Sequence, residues 1–166
     1  MITIGSSLQR GTEDPVCQLS LNCRQMCCHP GAQVRDIYRK LPSLIHPFYY
    51  YPLFTFQAGS NEVVDRSLWA IKMDFRGLGW CMDGAGMQAA FSSIPSVSWK
   101  DTERSRKTHL IHTWLRGWCK CKNFFLDHGE VYLAPGLMVQ NGSHLSQRVK
   151  WILAQELAGL IGRALN

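Results

Sequence analysis

Four small polar clusters hold the residue types from which an acyl-transfer site can be built: Gly5-Ser6-Ser7-Leu8, His29-Pro30-Gly31, Gly59-Ser60-Asn61-Glu62 and Asn141-Gly142-Ser143-His144. A serine nucleophile needs a base to take its proton. It also needs donors aimed at the oxyanion that develops when it attacks an ester carbonyl. Ser7, at a tight strand-to-helix turn, is the candidate nucleophile, with its own backbone N–H near a helix N-terminus. His144, ahead of the last helix, is the candidate base. Gly31 has no side chain to obstruct approach and can present a backbone N–H, while Asn61 can present an amide N–H to the same oxygen. Singly, each has a plainer explanation, since a serine after a strand is ordinarily a turn or cap residue. Chain order and spacing give the set its weight.

Such residues need a scaffold that brings them together. Strand-type runs are expected at Met1 to Ile4, Gln25 to Cys28, Leu53 to Gln57, Met87 to Phe91 and Asn123 to Leu126. Between them, Val34, Ile37, Tyr38 and Leu41 keep the spacing of one helix face that ends at Pro42, and Val64, Leu68, Ile71, Phe75 and Leu78 keep another. Leu110, Ile111, Trp114, Leu115 and Trp118 form a third face. The fourth is Val149, Ile152, Leu153, Leu157, Leu160 and Ile161, with Ser146 as its N-cap. Strand followed by helix, repeated, predicts an α/β fold with a parallel sheet covered on both faces, because parallel neighbours need crossover connections. In open sheets of this kind the site lies beyond the carboxyl ends of the strands, and all four clusters fall there.

At these motifs the chain resembles the SGNH (GDSL-type) hydrolases, whose blocks are named for Ser, Gly, Asn and His in that order. Gly5-Ser6-Ser7-Leu8 stands where the family has Gly-Asp-Ser-Leu, Gly31 for the block-two glycine, Gly59-Ser60-Asn61-Glu62 for Gly-x-Asn-Asp, and Asn141-Gly142-Ser143-His144 for Asp-x-x-His. The match runs from Ile2 to about Leu160. Arg35-Asp36-Ile37-Tyr38-Arg39-Lys40-Leu41-Pro42, Asp74-Phe75-Arg76-Gly77-Leu78-Gly79 and the stretch Leu153 to Ile161 look like the esterase-type domain of chicken-repeat LINE retrotransposons of birds and reptiles. The resemblance implies a three-layer α/β/α, flavodoxin-like domain over residues 1–166, with five parallel strands in the order 2-1-3-4-5. It also implies a small acyl-ester substrate and no metal or cofactor.

The departures bear on chemistry. Asn141 replaces the family acid, so nothing charged at that position orients the imidazole; Ser6 replaces the block-one Asp and Glu62 the block-three Asp. An acid changed to an amide costs on the order of 10⁴ in turnover in the serine-protease case. Val149 stands where a Gly is usual and Trp151 where a basic residue is typical. The expected function is therefore an esterase-like domain weakened at its triad. The alternative is a non-catalytic interaction domain or a nucleic-acid-binding module.

Composition excludes other classes. The 166 residues allow one domain; 46% hydrophobic and 18% charged residues, with 14 Gly and 7 Pro, are ordinary globular usage. The longest apolar run, Phe48 to Phe56, is short and broken by Pro52, far from the ~18 residues of a span. The first residues lack the features of a secretion signal, and seven Cys, an odd count, read mostly as free thiols in a reducing compartment, which makes cytoplasmic the default. Cys23, Cys27, Cys28 and His29 with Cys119 and Cys121 are a weak zinc pattern, because Cys119-x-Cys121 is too tight for an ordinary ligand pair. Gly77-Leu78-Gly79 and Gly84-Ala85-Gly86 precede a strand, the reverse of a dinucleotide fingerprint, and read as a helix stop and a turn. The net charge of +6 permits an anionic partner. Lys100 to Lys122 interleaves Arg104, Arg106 and Arg116 with Trp114 and Trp118, the composition of a nucleic-acid patch or of an amphipathic helix whose tryptophans face the core.

Overall fold

The computed structural model describes residues 2–5, 25–45, 53–94, 102–121, 124–128 and 146–165. Strands β1 (Ile2–Gly5), β2 (Gln25–Cys28), β3 (Leu53–Gln57), β4 (Gln88–Ser92) and β5 (Phe124–Leu126) run parallel in the order β2-β1-β3-β4-β5. Helix α1 (Val34–Leu44) connects β2 to β3, α2 (Leu68–Gly84) connects β3 to β4, α3 (Thr102–Cys119) lies between β4 and β5, and α4 (Gln147–Leu165) follows β5.

Side chains alternate across a strand, and here both sets are buried, as a covered parallel sheet requires. Ile2, Ile4, Phe54, Phe56, Ala89 and Phe91 join Val34, Ile37, Leu41, Ile71, Phe75, Leu78, Ile111 and Leu115 in one core. The connections through α1, α2 and α3 all step the same way along the sheet, and right-handed crossovers then place these helices on one face. α2 packs against both α1 and α3. The other set contains Thr3 and Thr55, buried neighbours whose hydroxyls hydrogen bond at 2.8 Å. Val149, Leu153 and Leu157 of α4 are buried outside the first cluster, while Arg148 and Gln155 are exposed. Val149, unusual against the resembled domain, thus has a packing role.

Several helix details differ from the sequence expectation. α1 passes through Pro42 and ends two residues later, because a proline in the last turn forfeits one bond there while Ile45 N–H still reaches Leu41 O at 3.0 Å. α2 starts at Leu68, where Ser67 Oγ accepts the Ala70 N–H at 3.2 Å, so Val64 falls in the preceding turn and is exposed. It continues through Gly77 and Gly79 to Gly84, so neither of those glycines is a stop; the turn comes at Gly86, with φ +67°. On α3 the buried stripe is Thr108, Ile111, Leu115 and Cys119, and Leu110 is exposed. Among the described residues no helix is long and apolar enough to cross a membrane.

Candidate functional site

The carboxyl rim is built around β1. Gly5 at its end pairs with Cys28 of β2 and Gln57 of β3, and the His29 N–H continues the ladder to Gly5 O at 2.8 Å. Three of the four clusters therefore leave the sheet from adjacent strands. Ser7 follows Gly5 by two residues, and His144 precedes Ser146, the residue before α4, by two. Ser7, Asn141 and His144 themselves lie outside the described residues.

Gly31 and Asn61 are described, and the loops that carry them are joined. Gly31 is exposed and adopts φ +73°, a left-handed conformation that suits a residue without Cβ, and it turns the chain from β2 toward α1. The Ala32 N–H donates to His29 O at 3.1 Å and closes that turn. Asn61, part-buried beyond β3, donates its amide to Ala32 O at 3.1 Å. An asparagine amide carries two N–H donors, so this bond fixes the group while using one of them. Arg104 of α3 donates to Ser60 O at 3.1 Å, securing the residue before Asn61.

Glu62 has a larger role than its sequence position indicated. Its side chain is fully buried and accepts the Val34 N–H, the first of α1, which gives the β2–β3 rim a second cross-link. Burial pushes its pKa up, the Val34 N–H and the Arg66 charge oppose that shift, and Asp74 adds to it. His29, five residues before Val34, is pushed down by burial and by Lys40, whose Nζ is 3.5 Å from its Nδ1.

A second polar group closes the far side of the sheet. His128, beyond β5, is buried; its Nδ1 contacts Glu156 of α4, its Nε2 lies 3.4 Å from Ser92 Oγ, and its backbone N–H donates to Ser93 Oγ at 2.9 Å. This has the connectivity of a serine-histidine-acid relay, but Ser92 is 2% exposed, so no substrate carbonyl reaches it. The group ties α4 to the ends of β4 and β5. An open cavity of about 440 Å³ beside it is lined by Asp127, His128, Gln155 and Glu156, and shares no lining residue with the Gly31 and Asn61 loops.

The rival features resolve differently. Trp114 and Trp118 stack on each other at 5.5 Å and 8° and pack against the core, with Arg76 and Lys72 over the Trp114 ring at 5.6 and 5.7 Å. Arg106 pairs with Glu103 at 2.9 Å and Arg116 with Asp127 at 3.5 Å. Cys119 is buried in the core, which pushes its thiol up to about 12, whereas Cys121 is exposed; the two do not present a common ligand face.

No family model and no curated protein matches the chain. Solved structures do. A GDSL-like lipase from Bacteroides thetaiotaomicron superposes with a TM-score of 0.79 at 11% identity, covering 98% of this chain and 87% of that one. The psychrotrophic esterase EstA from Pseudoalteromonas, known in a form inhibited by monoethylphosphonate, gives 0.74 at 13% identity, over 99% and 98%. The esterase domain of the ORF1 protein of the zebrafish ZfL2-1 retrotransposon gives 0.53 with a higher identity, 24%, over 97% and 98%. The resemblance met in the motifs is thus carried by the architecture of nearly the whole chain, which has the fold of the GDSL-type lipases and esterases.

Proposed function

We propose that residues 1–166 form one three-layer SGNH-hydrolase domain that hydrolyses small carboxylic esters through an acyl-enzyme on Ser7. The observation that carries this reading is the joined rim. Gly31 and Asn61 stand on loops held together by the Asn61 to Ala32 bond, beside the strand that leads to Ser7. The GDSL-type fold of the whole chain agrees with it.

In the mechanism, His144 takes the Ser7 hydroxyl proton as Oγ attacks the ester carbonyl. The oxyanion is met by the backbone N–H groups of Ser7 and Gly31 and by the amide of Asn61. Collapse breaks the bond to the alkoxy oxygen, which leaves with the proton from His144. Water, deprotonated by the same imidazole, then attacks the acyl-enzyme, releases the acid and returns the proton to Ser7. Asn141 can orient the imidazole only by presenting its amide oxygen and cannot neutralise the imidazolium, so turnover is slow. No metal or cofactor enters these steps. Free thiols at Cys81, Cys119 and Cys121 fit a reducing, cytoplasmic setting.

Labelling with an alkyl phosphonate fluorophore tests the nucleophile. The unaltered chain is expected to label and Ser7→Ala not to, with Ser6→Ala retaining much of the signal. Equal loss in both folded variants would show that the wrong serine was assigned. Absence of labelling in the unaltered chain would leave the non-catalytic interaction domain. A nucleic-acid module would reveal itself as retention on a polyanion that weakens steeply with salt. The engaged Arg104, Arg106 and Arg116 and the inward-packed Trp114 and Trp118 favour the opposite outcome.

A further inference from the structure

The rim contains a carboxyl group that the ester chemistry does not use. Glu62 is 0% exposed and directly follows Asn61. Its Oε1 accepts the Val34 N–H, while its Oε2 is buried with no hydrogen-bond partner. A buried carboxyl with one oxygen unpartnered is held at a cost in desolvation, so packing alone does not account for it. Two more buried atoms without partners, His29 Nε2 and Gln33 Oε1, belong to the loop that Glu62 grips.

The connections define a clamp. Asn61 holds Ala32 and Glu62 holds Val34, so the two consecutive residues of the β3 rim bracket the start of α1, immediately after Gly31. The clamp is rigid on its own side, because Glu62 O accepts the N–H groups of Asp65 at 3.2 Å and Arg66 at 3.0 Å. We propose that Glu62 is the positioning residue of the oxyanion site, setting the Gly31 loop at the height where its N–H and the Asn61 amide address one oxygen. This rests on the ester-hydrolase reading of Ser7.

Because the clamp is a carboxyl, it responds to pH. Burial holds its proton beyond the ordinary glutamate range, and on ionisation the bond to Val34 becomes charge-assisted and stronger. Of the charged groups around it, Arg66 favours the ionised form and Asp74 opposes it, and each charged group nearby also has a partner of its own. Arg66 pairs with Asp74 on α2, Asp36 of α1 accepts the Gln33 N–H at 3.0 Å, Arg104 of α3 holds Ser60 O, and Lys40 lies against His29.

Amide resonances of the whole chain, followed through a pH titration, test the clamp without substrate. The Val34 and Gly31 backbone N–H and the Asn61 side-chain amide are expected to shift together, with a midpoint above the ordinary glutamate range, and to lose that transition in Glu62→Gln. Kinetics on an activated acetyl ester provide the second readout. Glu62→Ala is expected to lower kcat by about 10²-fold, the scale of one lost oxyanion donor, with KM little changed. Glu62→Gln, which keeps the acceptor for Val34, is expected to recover most of that loss. If Val34 titrates but Gly31 and Asn61 do not, or if the Gln variant is as slow as the Ala variant, the proposal is overturned. Absence of turnover in the unaltered chain would count against the ester reading alone, since the titration reads the clamp directly.

Discussion

Gly59 shows how little freedom the rim allows a single residue. Its φ is +111°, and a Cβ there would stand 2.7 Å from Ile94 Cδ1 and 3.3 Å from Phe75 Cζ. Gly59→Ala is therefore expected to cost about 2–4 kcal/mol from backbone strain and overpacking combined, readable in urea unfolding. Asn141→Asp is expected to act in the other direction on activity. A carboxylate would fix the His144 tautomer and stabilise the imidazolium, for a gain of up to about 10³ to 10⁴ in turnover on an activated ester. Melting curves run in parallel exclude a stability effect, and a folded Asp variant that is no faster would remove Asn141 as the limiting defect. The places of Gly31 and Asn61 beyond β2 and β3 were legible in the sequence because both follow strand-type runs bounded by turn residues, while their weight as candidates came from chain order and spacing. Glu62 was visible only as a departure from a motif. Its importance comes from burial and from a bond to Val34 across the fold, which no local pattern encodes.

Helices and strands were legible where periodicity governs them. The strand runs from Gln25 and from Leu53 coincide with β2 and β3, since short β-rich segments bounded by turn residues have one plausible period. Boundaries set by capping were not. The Val64 side chain continues the apolar spacing of α2, but the Ser67 cap outcompetes it and starts the helix later. Ser67→Ala should thus lower stability by about 1 kcal/mol. In α4, Leu157 is buried, and Leu157→Ala should cost about 2–5 kcal/mol, with the larger values if the surrounding side chains fail to collapse into the space. Measured unfolding of both variants checks whether the cap or the packing face contributes more. The contact from Glu156 to His128 was out of reach of any periodicity argument, because it joins a helix face to the residue after an edge strand.

Across the molecule, buried titratable groups make stability depend on pH in two directions. His112 is pushed down by burial first, with Arg116 and His109 acting the same way and Asp127 opposing, and His29 is pushed down as well. The folded chain then binds fewer protons than the unfolded one, so these groups withdraw stability as pH falls from the ordinary histidine value through the lowered one. Glu62 behaves oppositely: its raised folded value means that stability is lost as pH rises from the ordinary glutamate range through that value. Thermal melts should show Glu62→Gln gaining on the unaltered chain from mildly acidic toward neutral pH, and His112→Gln gaining on it as pH falls below neutral. The α/β class was readable from alternation alone, whereas this balance depends on which polar groups the fold encloses. The strand order carries a further consequence for how the chain assembles. Ile2 pairs with Gln25 on one side and with Phe54 on the other, so the sheet has two locally connected parts that meet at a seam between β1 and β3. Pairing across the seam spans the greatest sequence distance and pays the largest loop-closure entropy, so it is expected to form late in folding. The rim loops straddle that seam, so the bonds from Asn61 to Ala32 and from Val34 to Glu62 would close only after the core on either side had formed.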